Sequence, residues 1–561
     1  MCDMDCLDNL IANTAYLEAR KSGDGGTRDK ARRSIVLPTL TQGRSLRKTI
    51  PDSSVDYGSV CEAQPIGRHF FREFLDSQPQ YSSVAAFADA ATKFELAEDD
   101  GGGGGVGGGR GAMLDEALAF LRRDSGERPA FVSESLAATA GSSDAAEREA
   151  AIALAKREMR TFLSGAPFRG FLGSAFYEKF LQWKVLERKP MTDKNFYEFR
   201  MLGKGGFGEV CAMQAKMSGK MYACKKLDKK RLKKKNGEKM ALLEKELLEM
   251  VNSAFVVQLA YAYETKTHLC LTMSLMNGGD LKYHIYEMGE LGLEMERVLF
   301  YAAQITCGMQ HLHALRIIYR DMKPENVLLD EAGHCRLSDL GLAVLLKDDG
   351  MKITERAGTN GYMAPEVING EGYTYSCDWF SLGCTIYEMI AGRTPFKGHK
   401  EKVTKDEVRR RTLEDNVAYL HRNFCPNSKN ICDQLLAKKP ANRLGCRGDD
   451  DNPRKHPYFQ SINFFRLEAG LVNPPFVPDP GKVYAKDISD IMEFSEAKGI
   501  EINEKDQMFY SKFSTGCIPA TWQEEMIETG LFEELNDPNR VVDVEKGRMS
   551  NGNRSSTCIL L

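Results

Sequence analysis

The chain carries Tyr319-Arg320-Asp321-Met322-Lys323-Pro324-Glu325-Asn326, and Asp339-Leu340-Gly341 begins thirteen residues after Asn326. A carboxylate such as Asp321 can accept the proton of an attacking hydroxyl, and an ammonium such as Lys323 can neutralise a phosphoryl group in transit. Asn326 and Asp339 offer oxygens to Mg²⁺. Those are the parts of a phosphoryl-transfer centre. An Arg-Asp pair ahead of a proline is also ordinary turn and cap chemistry, so the order of the surrounding parts decides between the two.

Upstream, Leu202 is followed by GKGGFGEV, a G-x-G-x-x-G-x-V pattern with Gly203, Gly205, Gly208 and Val210. Glycines there let backbone N–H groups close over phosphates with no Cβ in the way, although Gly-rich turns are common by themselves. Downstream, Met221–Lys225 reads as a strand ending in a lysine seventeen residues beyond Gly208. That lysine either meets the α- and β-phosphates or is a solvated strand end. Glu244, inside the helical run Met240–Leu248, is the acid to pair with Lys225, and Glu246, two positions on, faces elsewhere. Ala364-Pro365-Glu366 closes the segment that opens at Asp339, and Asp378-Trp379 and Gly383 follow. Six parts in this order over about 180 residues resemble the protein kinases, and the roles named above are those of that template.

The 561 residues suggest three or four domains, of which a kinase core takes roughly 260 residues. A hydrophobic content of 42% with 28% charged residues is globular material, and a net charge of −3 argues against a nucleic-acid protein. The fifteen cysteines lie scattered without CxxC pairs, and no signal-peptide pattern precedes them. They read as reduced cytosolic thiols, with neither metal nor disulfide assigned. No apolar run approaches the eighteen residues of a membrane span.

The helical periodicity of residues 3–19 puts Leu7, Leu10, Ile11 and Ala15 on one face, which either covers a core patch or docks a partner. Arg20, Lys21, Arg28, Lys30, Arg32 and Arg33 form a basic stretch, most often a solvated linker and otherwise a contact with anionic lipid headgroups. Within it, Arg32-Arg33-Ser34-Ile35 marks Ser34 as a candidate phosphosite for basophilic kinases. From Cys61 to about Trp183 the chain reads as helix, with Phe70, Phe71, Phe74, Leu75, Phe176, Phe180 and Trp183 at core spacing. Gly101 to Gly111, nine glycines interrupted by Val106 and Arg110, is a low-complexity linker in which no structure is expected. Lys229 to Lys235 could face membrane or acidic substrate, but a solvated loop is the simpler expectation.

Past the core, Pro474-Pro475-Phe476 is expected to be extended, and the aromatics of Phe509-Tyr510-Ser511-Lys512-Phe513 need a groove. Residues 519–535 return to helix, with Trp522, Met526 and Ile527 on one face and Gly530 as the stop. The chain ends Cys558-Ile559-Leu560-Leu561, a C-a-a-X sequence whose final leucine favours geranylgeranyl on Cys558.

GKGGFGEV, Asp-Leu-Gly in place of Asp-Phe-Gly, KTHLCLTMSLMNGGDL (266–281), AGTNGYMAPE (357–366) and GLFEELNDPNR (530–540) together resemble the G-protein-coupled receptor kinases, nearly end to end. The N-terminal helix and prenylation end resemble the visual, opsin-directed subgroup, and the last leucine its cone type. The resemblance implies an α+β chain, a bilobal kinase fold with a small β-rich and a large helical lobe, inserted into an all-α regulator-of-G-protein-signalling homology domain. The expected segments are a helix and basic linker (1–55), the homology domain (56–185, with the Gly-rich loop 101–111), the kinase (196–459), its C-terminal tail (460–513), the returning homology helices (514–535) and a flexible tail (536–561).

By the same resemblance, Asp321 is the catalytic base with Lys323 beside it, Lys225 and Glu244 orient ATP under the glycine loop, and Asn326 and Asp339 hold Mg²⁺. The adenine lies near Met273 to Met276, Tyr484-Ala485-Lys486 crosses the nucleotide cleft, and residues 3–19 dock a receptor. Implied partners are an activated opsin-type receptor, the cytoplasmic membrane face of a photoreceptor outer segment, and a recoverin-type calcium sensor at the N-terminal helix. Tyr319 stands where most kinases carry histidine, a family feature that leaves the chemistry intact. Glu355 stands where many carry an activating phosphothreonine, so activation must rest on something other than that phosphate. A catalytically silent Gα-binding scaffold is disfavoured because Lys225, Asp321, Asn326 and Asp339 are all present. A soluble basophilic kinase is disfavoured by the flanking helices and Cys558.

Overall fold

The computed structural model describes residues 12–20, 32, 35–97, 109–124, 126–348, 350–448, 450–484 and 499–540. They divide into two compact units. One takes residues 12–20, Met191–Glu468 and Val472–Ile518; the other takes the described residues from 32 to Pro190, Ala469–Leu471 and those from Pro519 to 540.

The first unit opens with a sheet of β1 (Phe196–Lys204), β2 (Gly208–Ala215), β3 (Met221–Asp228), β4 (Leu259–Glu264) and β5 (His268–Ser274), all antiparallel in the order β1-β2-β3-β5-β4. The helix α1 (Glu238–Met250) belongs to the same lobe and buries Ala241, Glu244, Lys245, Leu247 and Leu248, the 3.6-residue stripe that its sequence shows. The larger lobe is helical: α2 (Leu281–Tyr286), α3 (Met295–Ala314), α4 (Ser376–Ala391) and α5 (Lys405–Glu414). Within α4 every residue from Ser376 to Ile390 is buried, as suits a helix at the centre of a lobe rather than on its surface. Four short strands, β6 (Ile317–Ile318), β7 (Val327–Leu329), β8 (Cys335–Leu337) and β9 (Val344–Leu345), pair β6 with β9 and β7 with β8. Their tight turns present the catalytic segments. A tail strand, β10 (Gly516–Cys517), covers the edge of β4.

The second unit is helical. Phe70, Phe71, Phe74 and Leu75 of Pro65–Asp76, and Phe180 and Trp183 of Ala175–Glu187, are buried as their spacing requires, while Phe176 is half-buried. The returning chain completes this core. Trp522 meets Trp183 with ring centroids 6.1 Å apart, and Phe532 meets Trp183 at 5.3 Å. The fully buried Gln523 accepts the Ile66 N–H at 3.0 Å and donates to Gln64 at 2.9 Å and Glu187 at 2.8 Å.

Several expectations are corrected. Lys225 lies mid-strand, opposite Val210 and Leu271, because β3 continues to Asp228. Lys229–Lys234 is a short helix rather than a solvated loop. Lys229 is buried against Glu264 at 2.8 Å and the Tyr510 ring at 5.4 Å, and Lys233 meets Asp506 at 2.6 Å, partners supplied by strand β4 and the distant tail. Helix Arg110–Arg122 takes Arg110 and Gly111 out of the glycine linker, whose residues 101–108 lie outside the described residues. The return to the helical unit comes at Pro519 rather than 514, since β10 and the Ile518 N–H, bonded to Ala260 at 2.9 Å, still belong to the sheet. Residues 519–535 form two helices, Pro519–Glu528 and Leu531–Asn536, parted by Gly530 at φ +67°.

A buried ion pair locks the end of the activation segment to the large lobe. Arg443, 0% exposed, grips Glu366 bidentately at 2.6 and 3.0 Å and donates to the Ser376 carbonyl at 2.7 Å. Removing one partner strands a buried charge, so Arg443→Ala should lose about 3–5 kcal/mol of kinase-unit stability. Paired replacement by Arg443→Met and Glu366→Leu should recover part of it. Denaturant titration of the three proteins checks both outcomes.

Candidate active site

The catalytic loop leaves β6 and turns at Arg320, whose φ of +67° is unusual for a side chain of this size. Asp378, fully buried near the start of α4, holds that turn. Its carboxylate accepts the backbone N–H of Tyr319 at 2.9 Å and of Arg320 at 2.8 Å, and its Oδ2 also lies 2.9 Å from His313 Nε2. The Tyr319 hydroxyl donates to the Ser338 carbonyl, tying the loop to the residue before Asp339.

Asp321 then sits among donors. Its Oδ1 accepts the Thr359 hydroxyl at 2.6 Å, and its Oδ2 accepts Lys323 Nζ at 2.7 Å and Asn326 Nδ2 at 3.0 Å. Lys323 also reaches Thr359 Oγ1 at 2.8 Å. A carboxylate held this way is oriented to take a proton from a hydroxyl placed beside it.

The nucleotide side is equally ordered. Lys225 Nζ meets Glu244 Oε1 at 2.6 Å and Asp339 Oδ1 at 3.4 Å, so the lysine expected from its strand and the acid expected from its helix are joined. Burial opposes the Lys225 charge, but Glu244 and Asp339 outweigh it and raise its pKa. Lys225 in turn is the main cause of the lowered pKa of Asp339. Both groups are therefore charged at neutral pH. The Gly341 N–H donates to Asp339 Oδ1 at 3.3 Å, leaving the second carboxylate oxygen without a protein donor among the described residues. Asn326 uses its amide N–H on Asp321 and keeps its oxygen as an acceptor. A carboxylate and an amide oxygen are the donor set that a hard divalent cation takes.

Of the three glycines of the G-x-G-x-x-G pattern, only Gly208 is required by packing. A Cβ there would lie 1.7 Å from the Lys226 carbonyl oxygen. A Cβ at Gly203 would meet nothing within 4 Å, and at Gly205 only the Gly208 carbonyl at 4.0 Å. That open space beside backbone N–H groups suits a phosphate chain. Met273 on β5 is half-buried, as is Met276 just beyond it, on the link into α2.

Glu355 is 72% exposed and makes one ion pair, to Arg320 at 3.0 Å, while the Tyr373 hydroxyl donates to the Glu355 carbonyl at 2.6 Å. Residues 12–20 form a helix in which Tyr16 is 2% exposed. Asn13 accepts from Arg200 on β1, and Arg20 lies 3.9 Å from Glu331 in the larger lobe. Tyr484 stacks on His284, with centroids 6.0 Å apart. Residues 3–11, Ser34, Ala485, Lys486 and Cys558 lie outside the described residues. Sequence reasoning missed Thr359 and the anchoring by Asp378. Both sit in recognisable motifs, AGTNGYMAPE and Asp-Trp, but only the folded chain shows what they touch.

Residues 196–459 match the model of the protein kinase domain, and residues 56–180 that of the regulator of G protein signaling domain. The chain is 57% identical over 571 residues to the rhodopsin kinase GRK7 of Homo sapiens, 55% identical over 565 residues to the rhodopsin kinase grk7-a of Xenopus laevis, and 53% identical over 570 residues to the rhodopsin kinase grk7a of Danio rerio. In each case 100% of both chains is covered. The chain belongs to the rhodopsin kinases. It is a protein serine/threonine kinase, with ATP as the phosphoryl donor that its kinase domain implies.

A buried acid joins the activation segment to helix α2. Glu388, 3% exposed at the far end of α4, accepts the Tyr286 hydroxyl of α2 at 2.5 Å and the Tyr362 hydroxyl of the activation segment at 2.5 Å. Burial pushes its pKa up from 4.5 to about 7. The folded protein thus retains a proton that the unfolded chain releases. The associated stability is fully present below pH 4.5 and is lost as pH rises through about 7. Glu388→Gln should flatten that dependence, and from pH 5 to pH 8 its melting temperature should fall by at least about 2 °C less than that of the parent protein. Equal slopes in a pH series of thermal melts would sink this assignment.

Proposed function

We propose that the chain phosphorylates serine and threonine residues of light-activated opsin-type receptors, of the cone class, and so shuts off phototransduction. The similarity to rhodopsin kinases over the whole of both chains carries this reading. The assembled catalytic set supports it. Asp321 takes the proton of the receptor hydroxyl, oriented by Thr359, Lys323 and Asn326. Lys225, held by Glu244, orients ATP under Gly203, Gly205, Gly208 and Val210, with the adenine beside Met273 and Met276. Lys323 neutralises the phosphoryl group in transit. Asn326 and Asp339 would hold Mg²⁺, which would supply neutralisation of the phosphate charge.

The N-terminal helix is the receptor-sensing element and the site for a recoverin-type calcium sensor. The contacts of residues 12–20 with both Arg200 and Glu331 suit a helix that steadies lobe closure. Ser34 is a regulatory phosphosite whose charge would weaken attraction to anionic lipid.

Labelled-phosphate transfer to illuminated and dark photoreceptor membranes tests the reading. Incorporation should depend on light, and Lys225→Met or Asp321→Asn should lower it by about a hundredfold or more with unchanged melting. Equal labelling in light and dark would remove the receptor as substrate, and activity above about a tenth in either variant would remove the assigned chemistry.

We propose further that Cys558 carries a geranylgeranyl group and seats the protein on the cytoplasmic membrane face, peripherally. No helix among the described residues is long and apolar enough to cross a membrane. Burying the lipid contributes about 0.8 kcal/mol per CH₂, and Lys21, Arg28, Lys30 and Arg33 supply the second signal that stable anchoring needs, since Arg20 and Arg32 are engaged by Glu331 and Glu534. Mass spectrometry of protein from eukaryotic cells should find the lipid on Cys558 with the last three residues removed. A Cys558→Ser protein that stays fully membrane-bound would refute the anchor.

A further inference from the structure

Between α4 and α5 the loop carries Lys397, Lys400 and Lys402, and Lys405 opens α5; all four are exposed. Among the described residues none of these ammonium groups lies within ion-pair distance of a carboxylate, whereas Arg409, Arg410 and Arg411 on the same helix are each paired. A cleft of about 530 Å³ opens beside the loop, lined by Arg393, Lys397 and Arg411 among others. Its cations outnumber the Glu401 and Asp415 carboxylates that share it.

The loop is linked to the peptide side of the catalytic centre by continuous contacts. The Thr359 hydroxyl bonds Asp321, and the Thr359 carbonyl accepts the Tyr362 N–H at 3.0 Å. Tyr362 and Tyr286 share Glu388, and the Tyr286 ring stacks on His399 of the loop at 5.2 Å. Along this side three carboxylates carry contacts of their own. Glu325 is bonded by Lys282 at 2.9 Å, Glu355 by Arg320 at 3.0 Å, and Glu388 is buried under two hydroxyls. An anionic peptide finds four exposed lysines, none of them in an ion pair among the described residues.

We propose that this loop is a subsite for a phosphate already carried by the substrate chain, so that each transfer favours the next one on the same tail. The proposal rests on the kinase reading above. It needs no step beyond phosphoryl transfer, because the product of that transfer is itself the ligand. A phosphoserine brings a charge of about −1.5 to −2 and three acceptor oxygens, which suits a group of mobile ammonium point charges.

The test uses the full chain and peptides of one sequence, each with an acceptor serine, either unmodified or with a phosphoserine stepped along either side of it. At one or more spacings the phosphorylated peptide should have a KM about tenfold lower, and added salt should erase the difference. Lys397→Ala/Lys400→Ala/Lys402→Ala should abolish the preference while leaving kcat and the KM of the unmodified peptide unchanged. Binding of the same peptides to a Lys225→Met protein gives the comparison without turnover, so failure of the subsite is distinguishable from failure of catalysis. Equal handling of both peptides by the parent protein, or a preference that survives the triple substitution, would overturn the proposal. A triple variant that loses only its binding to phosphatidylserine vesicles would assign the loop to lipid and overturn it equally.

Discussion

Asp378 is a carboxylate with no solvent to stabilise it, and the catalytic loop is built around satisfying it. Two backbone N–H groups and His313 converge on it, and hydrogen bonds to a charged group contribute about 1.5–3 kcal/mol each. That stabilisation offsets the left-handed backbone at Arg320, which turns the chain so that Asp321 enters the cleft while the Arg320 side chain bonds the Leu342 carbonyl at 2.6 Å and Glu355. At the other end of α4, Glu388 holds Tyr286 and Tyr362. One buried helix therefore fixes the turn before Asp321, the activation segment and α2 from beneath, and the positions of these groups are coupled through it.

On the nucleotide side the dependence runs through the Lys225 ion pairs. Closure of α1 onto β3 needs Glu244 in place, and the tail secures α1 from outside: Lys245 donates to the Lys512 carbonyl at 3.2 Å, and Phe513 is fully buried. A phosphothreonine would bind Arg320 through several oxygens; Glu355 offers one exposed pair, which contributes at most about 1 kcal/mol. Order in this segment thus comes from neutral and backbone contacts, such as the Tyr373 hydroxyl on Glu355, and from elements that bridge the lobes. The helix of residues 12–20 is one such element, with contacts to Arg200 on β1 and Glu331 in the larger lobe.

What the linear sequence disclosed and what it hid divide by contact range. Lys225, Glu244, Asp321, Asn326 and Asp339 were legible because each lies in a short motif whose spacing is itself the constraint, and the structure brings Lys225 to Glu244 and Asp339, and Asp321 to Asn326. The core of the helical unit was legible from the spacing of its phenylalanines, and Gly530 from its place after a helix. Lys229–Lys235 misled because its partners, Glu264, Asp506 and Tyr510, lie between 35 and 281 residues away, and a lysine-rich run has no local sign of being covered. The return at Pro519 was misplaced for a related reason. A two-residue strand such as β10 has too little periodicity to announce that it belongs to the sheet rather than to the helices after it.

The same division separates chemistry from selection. Phosphoryl transfer needs fixed charges, and in this fold they are buried or paired: Lys225 with Glu244, Asp321 with Lys323, Glu366 with Arg443. Each pairing raises precision but removes a charge from what a substrate can feel. Recognition is left to groups that the core does not claim. On the peptide side those are the lysines beyond α4, carried on a loop whose His399 ring stacks on Tyr286 and whose Lys397, Lys400 and Lys402 form no ion pair among the described residues. A rigid attachment with free charges is the arrangement that lets a surface select among anionic segments without disturbing the catalytic geometry a few contacts away.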